Sequence, residues 1–337
     1  QATVKAGLRS KTIKPAHLKR ITVDTTVQEK AVSFPTGSKL LNRSRIRLVK
    51  LCRQNGVVLR QSYARKGPQA LFKANRYAHA RQYRRMRSRV KKLRTYLGRV
   101  VRDIERKITR QADKQAVFAP ELALAKRLLA QQKQDKNKLY SLHAPEVECI
   151  SKGKAHKRYE FGVKASIATT NKSNFVVGGM ALPGNPYDGH TLTKALEQVR
   201  RMTGSVIEEA FVDRGYRGHA ETRTTVYIAG QRRGIKTERL KCSLKRREAI
   251  EPVIGHLKSD GLLGRNYLKG TEGDQLNVML SCAGHNLRLI LRQLRIFCAQ
   301  IWHSLWALLV ASGRKGESNH REIPIIKTAW QPAINCG

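Results

Sequence analysis

The sequence predicts an α/β protein in which a mixed sheet is flanked by helices and a large helical block is inserted after the first strand. Three patterns lead to that class. Residues 18–28, LKRITVDTTVQ, are rich in β-branched side chains and alternate like a strand. Residues from 38 to about 138 are then helical in character. From residue 157 a strand period returns, first as a hairpin and then as strand–helix–strand alternation, which implies a mixed sheet with helices packed on it.

The elements follow in order. Ile21 and Val23 alternate with Thr22 in the first strand, and Phe34-Pro35-Thr36-Gly37 ends the pattern. In the helical block, Tyr83, Met86, Val90, Leu93, Leu97, Val100 and Ile104 are spaced by 3, 4, 3, 4, 3 and 4 residues, the narrow seam of a coiled-coil-like helix over 81–110. Pro120 is expected to start the next helix, with Leu122, Ala125, Leu128 and Leu129 on one side, giving an antiparallel helical hairpin. Residues 157–170 and 174–182 read as two strands joined by a polar turn, and 183–189, PGNPYDG, as a loop. A helix is expected over 190–202, a strand over 205–213, a turn at RGYRG, a short strand over 224–229, and helices over 244–258 and 273–309. These set five expected regions. Residues 1–37 begin a core with its first strand, 38–142 form a basic helical insertion, and 143–262 complete the core. Residues 263–312 are a C-terminal helical region, and 313–337 a loosely ordered tail.

Charge narrows the function. Lys and Arg number 67 against 24 Asp and Glu, a formal charge of +43, which points to a polyanionic partner, nucleic acid before others. Hydrophobic residues make up 40% of the chain, enough for a core, so it is no disordered basic tail. Within 81–110, thirteen Lys or Arg face two acids, where a solvated face would mix signs. That favours DNA-backbone binding, with Arg84, Arg85, Lys91 and Lys92 among the contacts. Aromatic residues are only 6%, so base stacking is not the expected mode. The six cysteines form no CxxC pair or metal-spaced cluster, which argues against a zinc finger or disulfide scaffold and fits a reducing cytosol. The apolar run 296–311 is short for a membrane span and carries Gln300, His303 and Ser304, so a buried or interface helix is expected. No Walker pattern appears, and no ATP requirement is expected.

Acids are scarce, so their positions matter. Asp24 lies in or at the end of the first strand, Asp213 ends a later one before Arg214-Gly215, and Glu251 sits in the otherwise basic helix KRREAIEPVIGHLK. Acids at strand ends, with one from a helix, can converge on Mg²⁺, which prefers oxygen ligands. Two such ions roughly 3.5–4 Å apart can serve both the attacking and leaving oxygens of a phosphodiester. Asp188 in NPYDGH is a rival carboxylate; a turn or a cap on the following helix is the preferred reading for it. Glu248 competes with Glu251. His190 reads as structural or as a DNA contact. Lys258 lies two helical turns after Glu251 on nearly the same face, where it can hold a phosphate.

The segments VDTTVQEKAVSFPT, LPGNPYDGHTL, FVDRGYRGH, RREAIEPVIGHLK and HLKSDGLLGRNYLKG together resemble bacterial insertion-sequence transposases of the DDE class, with the closest likeness to insertion-sequence family five. The resemblance covers roughly residues 18–300. It implies an RNase H-like core in which Asp24, Asp213 and Glu251 form the triad and bind two Mg²⁺ or Mn²⁺ ions. It implies direct attack on DNA phosphodiesters by water and then by a 3′-hydroxyl. Of the family's Tyr, Arg, Glu and Lys signature, Arg247, Glu251 and Lys258 match, and Leu244 stands at the tyrosine position. The partners implied are double-stranded DNA and a second copy when active, in the bacterial cytoplasm at the nucleoid, with no membrane. The chain opens on Gln1, and relatives of this kind carry a further N-terminal helical domain, so a truncated transposase is expected. Two alternatives stay open: a catalytically inactive, basic DNA-binding remnant, and an RNase H-like nuclease that cleaves without strand transfer.

Overall fold

The computed structural model describes residues 1–132, 134–151, 157–230 and 237–313. The expected loose tail lies outside the described residues, apart from residue 313. The first strand, β1 (Arg20–Glu29), is preceded by a helix, α1 (Ala2–Arg9), and a 3-10 turn (Pro15–Lys19), neither of which the sequence patterns announced. β1 runs antiparallel to β3 (Tyr159–Thr170), with Ile21 opposite Thr170 and Asp24 opposite Ile167. On its other edge it runs parallel to β5 (Glu209–Val212), with Thr22 beside Phe211. β5 is parallel to β6 (Thr225–Ile228). The far edge of β3 takes both β4 (Val176–Leu182) and the short β2 (Glu148–Ser151), each antiparallel. β2 is short and only partly buried, and its four residues carry too few apolar positions to signal a strand. The strand expected over 205–213 is limited to four residues. A curled mixed sheet flanked by helices is consistent with an RNase H-like fold.

One face of the sheet is covered by α6 (Asp188–Thr203), whose Leu192, Ala195, Leu196 and Val199 recur at helical spacing and pack with Ile21, Val23, Ala168, Val177 and Val212. Gly204 ends this helix in the left-handed conformation at φ 68°, which a glycine adopts without steric cost. The other face carries α8 (Ile250–Ser259) and the first half of α9 (Gly270–Gly313), with Val253, Leu257, Val278 and Cys282 packed on Ala165, Ile167 and Val176. The single helix expected over 244–258 is instead α7 (Glu238–Arg246), a 3-10 turn (Arg247–Ala249) and α8. Pro252 stands in the first turn of α8, where its missing N–H is tolerated.

Between β1 and β2 the chain forms four helices with a hydrophobic cluster of their own. They are α2 (Gly37–Gln54), capped by Thr36, α3 (Lys66–His79), α4 (Tyr83–Ile108) and α5 (Ala112–Ala130). The seam read in α4 is buried only from Leu93 onward, and Tyr83 is exposed. Pro120 lies inside α5 and does not begin it; Phe118, fully buried, anchors the turn before it. Among the described residues, 131–132 and 134–147 are not helical, so the helical character ends earlier than expected. Among the described residues, no helix is long and apolar enough to cross a membrane.

Candidate active site

The sheet brings Asp24 and Asp213 to neighbouring positions. The parallel register that sets Thr22 beside Phe211 places Asp24, two residues on, level with Asp213, the residue that follows β5. Both are half-buried. Asp24 Oδ1 accepts the Thr25 N–H at 2.7 Å. Asp213 caps the 3-10 turn Arg214–Tyr216, its Oδ1 accepting the Gly215 N–H at 2.9 Å. That turn follows from Asp-x-Gly: an aspartate that bonds its own backbone two residues on, and a glycine that brings no side chain.

Asp188 belongs to the same cluster, though not as a cap. Tyr187 is the residue that precedes α6, and no side chain caps it. The Asp188 carboxylate instead accepts from Thr25 Oγ1 at 3.0 Å and from Lys164 Nζ at 3.1 Å. Lys164, on β3, also donates to the Pro186 carbonyl at 2.7 Å. The ammonium therefore offsets the Asp188 charge and ties the 183–189 loop to the sheet. Gly215 sits between two of the acids. A Cβ there would lie 3.0 Å from Asp213 Oδ1 and 3.1 Å from Asp188 Oδ2. Tyr216 is fully buried beside them, and its phenol is pushed well above its usual range by burial and then by the negative charges of Asp24, Asp188 and Asp213. It stays neutral through ordinary pH.

Glu251 is the second residue of α8 and is exposed. Side chains directly opposite on paired strands share a face, so Asp24 points to the side of Ile167, the side that α8 covers through Val253 and Leu257. Glu251 thus stands on the helix laid over the Asp24 face. Among the described residues, no three His, Cys, Asp or Glu side chains stand close enough together to hold a metal ion. The donor chemistry nevertheless suits a hard cation: Asp24, Asp213 and Glu251 offer only carboxylate oxygen, and Gly215 leaves space at the acids that a Cβ would fill.

The cations expected to hold DNA fall in two places. Arg84, Arg85, Lys91 and Lys92 are all exposed on the first turns of α4, and Arg85 donates to Gln82 at 3.1 Å. Arg247 is half-buried in the 3-10 turn ahead of α8, with its Nε buried and lacking a hydrogen-bond partner among the described residues. Lys258 stands 3.8 Å from Oε1 of Glu160, a buried acid on β3 that sequence reading did not single out. His256 pairs with Asp260 at 2.9 Å, and His190 meets the Tyr187 ring edge-on.

Residues 131–287 match a family model described as the transposase DDE domain. That span contains Asp188, Asp213 and Glu251; Asp24 lies upstream of it. The matched span is thus similar to the DDE domain of transposases over a little under half of the chain. The chain is also 46% identical over 83 residues to a Rhizobium meliloti protein described as "Uncharacterized protein ORF8 in nfe locus". The aligned part is 25% of this chain and 40% of that protein, so the chain spans about two fifths of the relative's length. No solved structure matches the chain.

Proposed function

We propose that this chain is an insertion-sequence transposase, of the kind grouped in family five, that cleaves DNA phosphodiesters and joins strands with the help of divalent metal. The observation that carries the reading is the level placement of Asp24 and Asp213 on adjoining parallel strands, one of them inside the segment that matches the transposase DDE domain. Asp24, Asp213 and Glu251 are its catalytic acids and the ligands of two Mg²⁺ or Mn²⁺ ions. When bound, the ions would neutralise phosphate charge and lower the pKa of attacking water. The chain's own residues position. The Thr25 and Gly215 amides fix one oxygen each of Asp24 and Asp213. Lys164 and Thr25 hold Asp188. In this reading Arg247 and Lys258 contact DNA close to Glu251, and Arg84, Arg85, Lys91 and Lys92 hold the duplex backbone farther out. The helical block 38–142 serves as a DNA clamp, and two copies act together on two DNA ends.

The test is metal-dependent nicking of supercoiled DNA, followed by joining of a pre-cut end. Asp24→Asn and Asp213→Asn are each expected to reduce nicking to background while leaving DNA affinity within about twofold, since a carboxamide keeps the shape and loses the charge. Salt-sensitive binding with no metal-dependent nicking in the unaltered chain would sink the enzymatic reading. Nicking without joining would reduce it to a nuclease.

A further inference from the structure

The second half of α9 leaves the body of the protein. Up to Ile290 the helix is anchored, with Val278 and Cys282 against the sheet and Ile290 against the α1 and α6 cluster. From residue 291 to 310 every residue is exposed. At about 1.5 Å per residue this is a rod of roughly 30 Å. Its apolar side chains are not scattered. Leu287, Leu291, Leu294, Cys298, Ile301, Leu305 and Leu308 recur at alternating steps of 4 and 3 residues, a seven-residue repeat held for three turns of the pattern. Apart from Cys298, itself exposed, these side chains are between 44% and 67% exposed. Phe297, Trp302 and Leu309 flank the stripe and are exposed too.

A sustained seven-residue repeat is what keeps one helix against another along a shared seam. An exposed apolar surface of this size marks an interaction site. The charge pattern names the occupant. The chain carries +43, yet residues 296–311 hold no Asp, Glu, Lys or Arg. A second copy meets like charge along α4, and along this rod meets it only at Arg292 and Arg295 near the base. We infer that the exposed half of α9 is a self-association surface, and that its partner is the same helix of a second copy, packed as a two-stranded coiled coil. Cys298 is the midpoint of the seam from Leu287 to Leu308, so it faces its own counterpart whether the two helices run parallel or antiparallel. This pairing rests on α9 alone and stands or falls apart from the catalytic reading.

The test is sedimentation velocity on the nuclease-treated full chain at micromolar concentration in high salt, where nucleic-acid bridging is suppressed and apolar packing is not. The expected particle is twice the 38.1 kDa chain. Leu291→Glu with Leu305→Glu is expected to weaken association at least a hundredfold. Thermal unfolding of the body should be unchanged, because both side chains are exposed in the single chain. Gln300→Glu, off the seam, should leave the dimer intact. Mild oxidation should give a covalent dimer that Cys298→Ser abolishes. A monomer in the unaltered chain, or a dimer indifferent to the double substitution, overturns the inference. So does a chain that stays monomeric and floats with anionic vesicles only when the seam is intact, since the surface would then serve a membrane.

Discussion

Gly215 shows how narrowly the acid cluster is built. Its missing Cβ is the space between Asp213 and Asp188, and an added methyl would stand 3.0 and 3.1 Å from their oxygens. Both distances are tighter than ordinary carbon–oxygen packing, so one carboxylate must give way by a few tenths of an ångström. Asp213 is held by the Gly215 N–H and Asp188 by Lys164 and Thr25, so a shift of either carboxylate strains the hydrogen bonds that position it. Because reacting groups displaced by about 1 Å can cost a hundredfold, Gly215→Ala is expected to lower metal-dependent nicking by roughly tenfold or more. Its unfolding midpoint should stay close to that of the unaltered chain, and a measured loss of fold in place of activity would show the glycine to be structural only. The sequence disclosed the two aspartates because both follow apolar β runs. It did not disclose that Asp188 joins them, because the ion pair that places it, Lys164 with Asp188, spans two elements whose register only folding sets.

At the scale of elements, period was more legible than boundaries. The hairpin of β3 and β4 and the helix α6 stand where the sequence pattern placed them: α6 buries one side, at Leu192, Ala195, Leu196 and Val199, while β3 and β4 are β-rich runs buried on both faces. Pro120 misled because proline commonly opens helices, whereas here α5 begins eight residues before it and continues through it, the proline removing one interior hydrogen bond without ending the helix. α4 joins two roles in one helix. Its exposed N-terminal turns carry Arg84, Arg85, Lys91 and Lys92, and replacing these four with Gln should cut the slope of log affinity against log salt by about 0.9 for each phosphate no longer neutralised. An unchanged slope in a binding titration would place DNA elsewhere. Its C-terminal turns are structural. Burial alone would raise the Asp103 carboxyl, but the Arg60 N–H and Lys107 outweigh it and hold it below the ordinary range. A lowered carboxyl adds stability above the unfolded-state range, and that stability is lost as pH falls through the folded value. Urea midpoints of the unaltered chain and Asp103→Asn should therefore differ at neutral pH and converge only as pH falls below the ordinary carboxylate range.

Across the whole molecule, one buried cluster joins parts of the chain that are distant in sequence. Lys30, at the end of β1, places Nζ 2.6 Å from Asp274 in α9 and 3.0 Å from Glu146, ahead of β2. Gln28 and Asn266 also donate to Asp274, at 3.3 and 2.7 Å, and Asn277 donates to Gln28 at 2.8 Å. The cluster thus fastens the base of α9 to the strand that carries Asp24 and to the exit from the helical block. Burial pushes the Asp274 carboxyl up even with Lys30 beside it, so at neutral pH its charge costs stability and the lysine offsets much of that cost. With the side chain of Lys30 only 3% exposed, water cannot replace it. Lys30→Met leaves two acids facing each other without a cation, and removing one partner of a buried ion pair costs about 3–5 kcal/mol. Lys30→Met with Asp274→Leu removes both charges of the closer pair and should recover more than half of that loss. Urea unfolding of the two variants decides it: a cost below about 1 kcal/mol in the single variant, or no recovery in the double, would show that packing and not charge pairing holds α9 to the sheet.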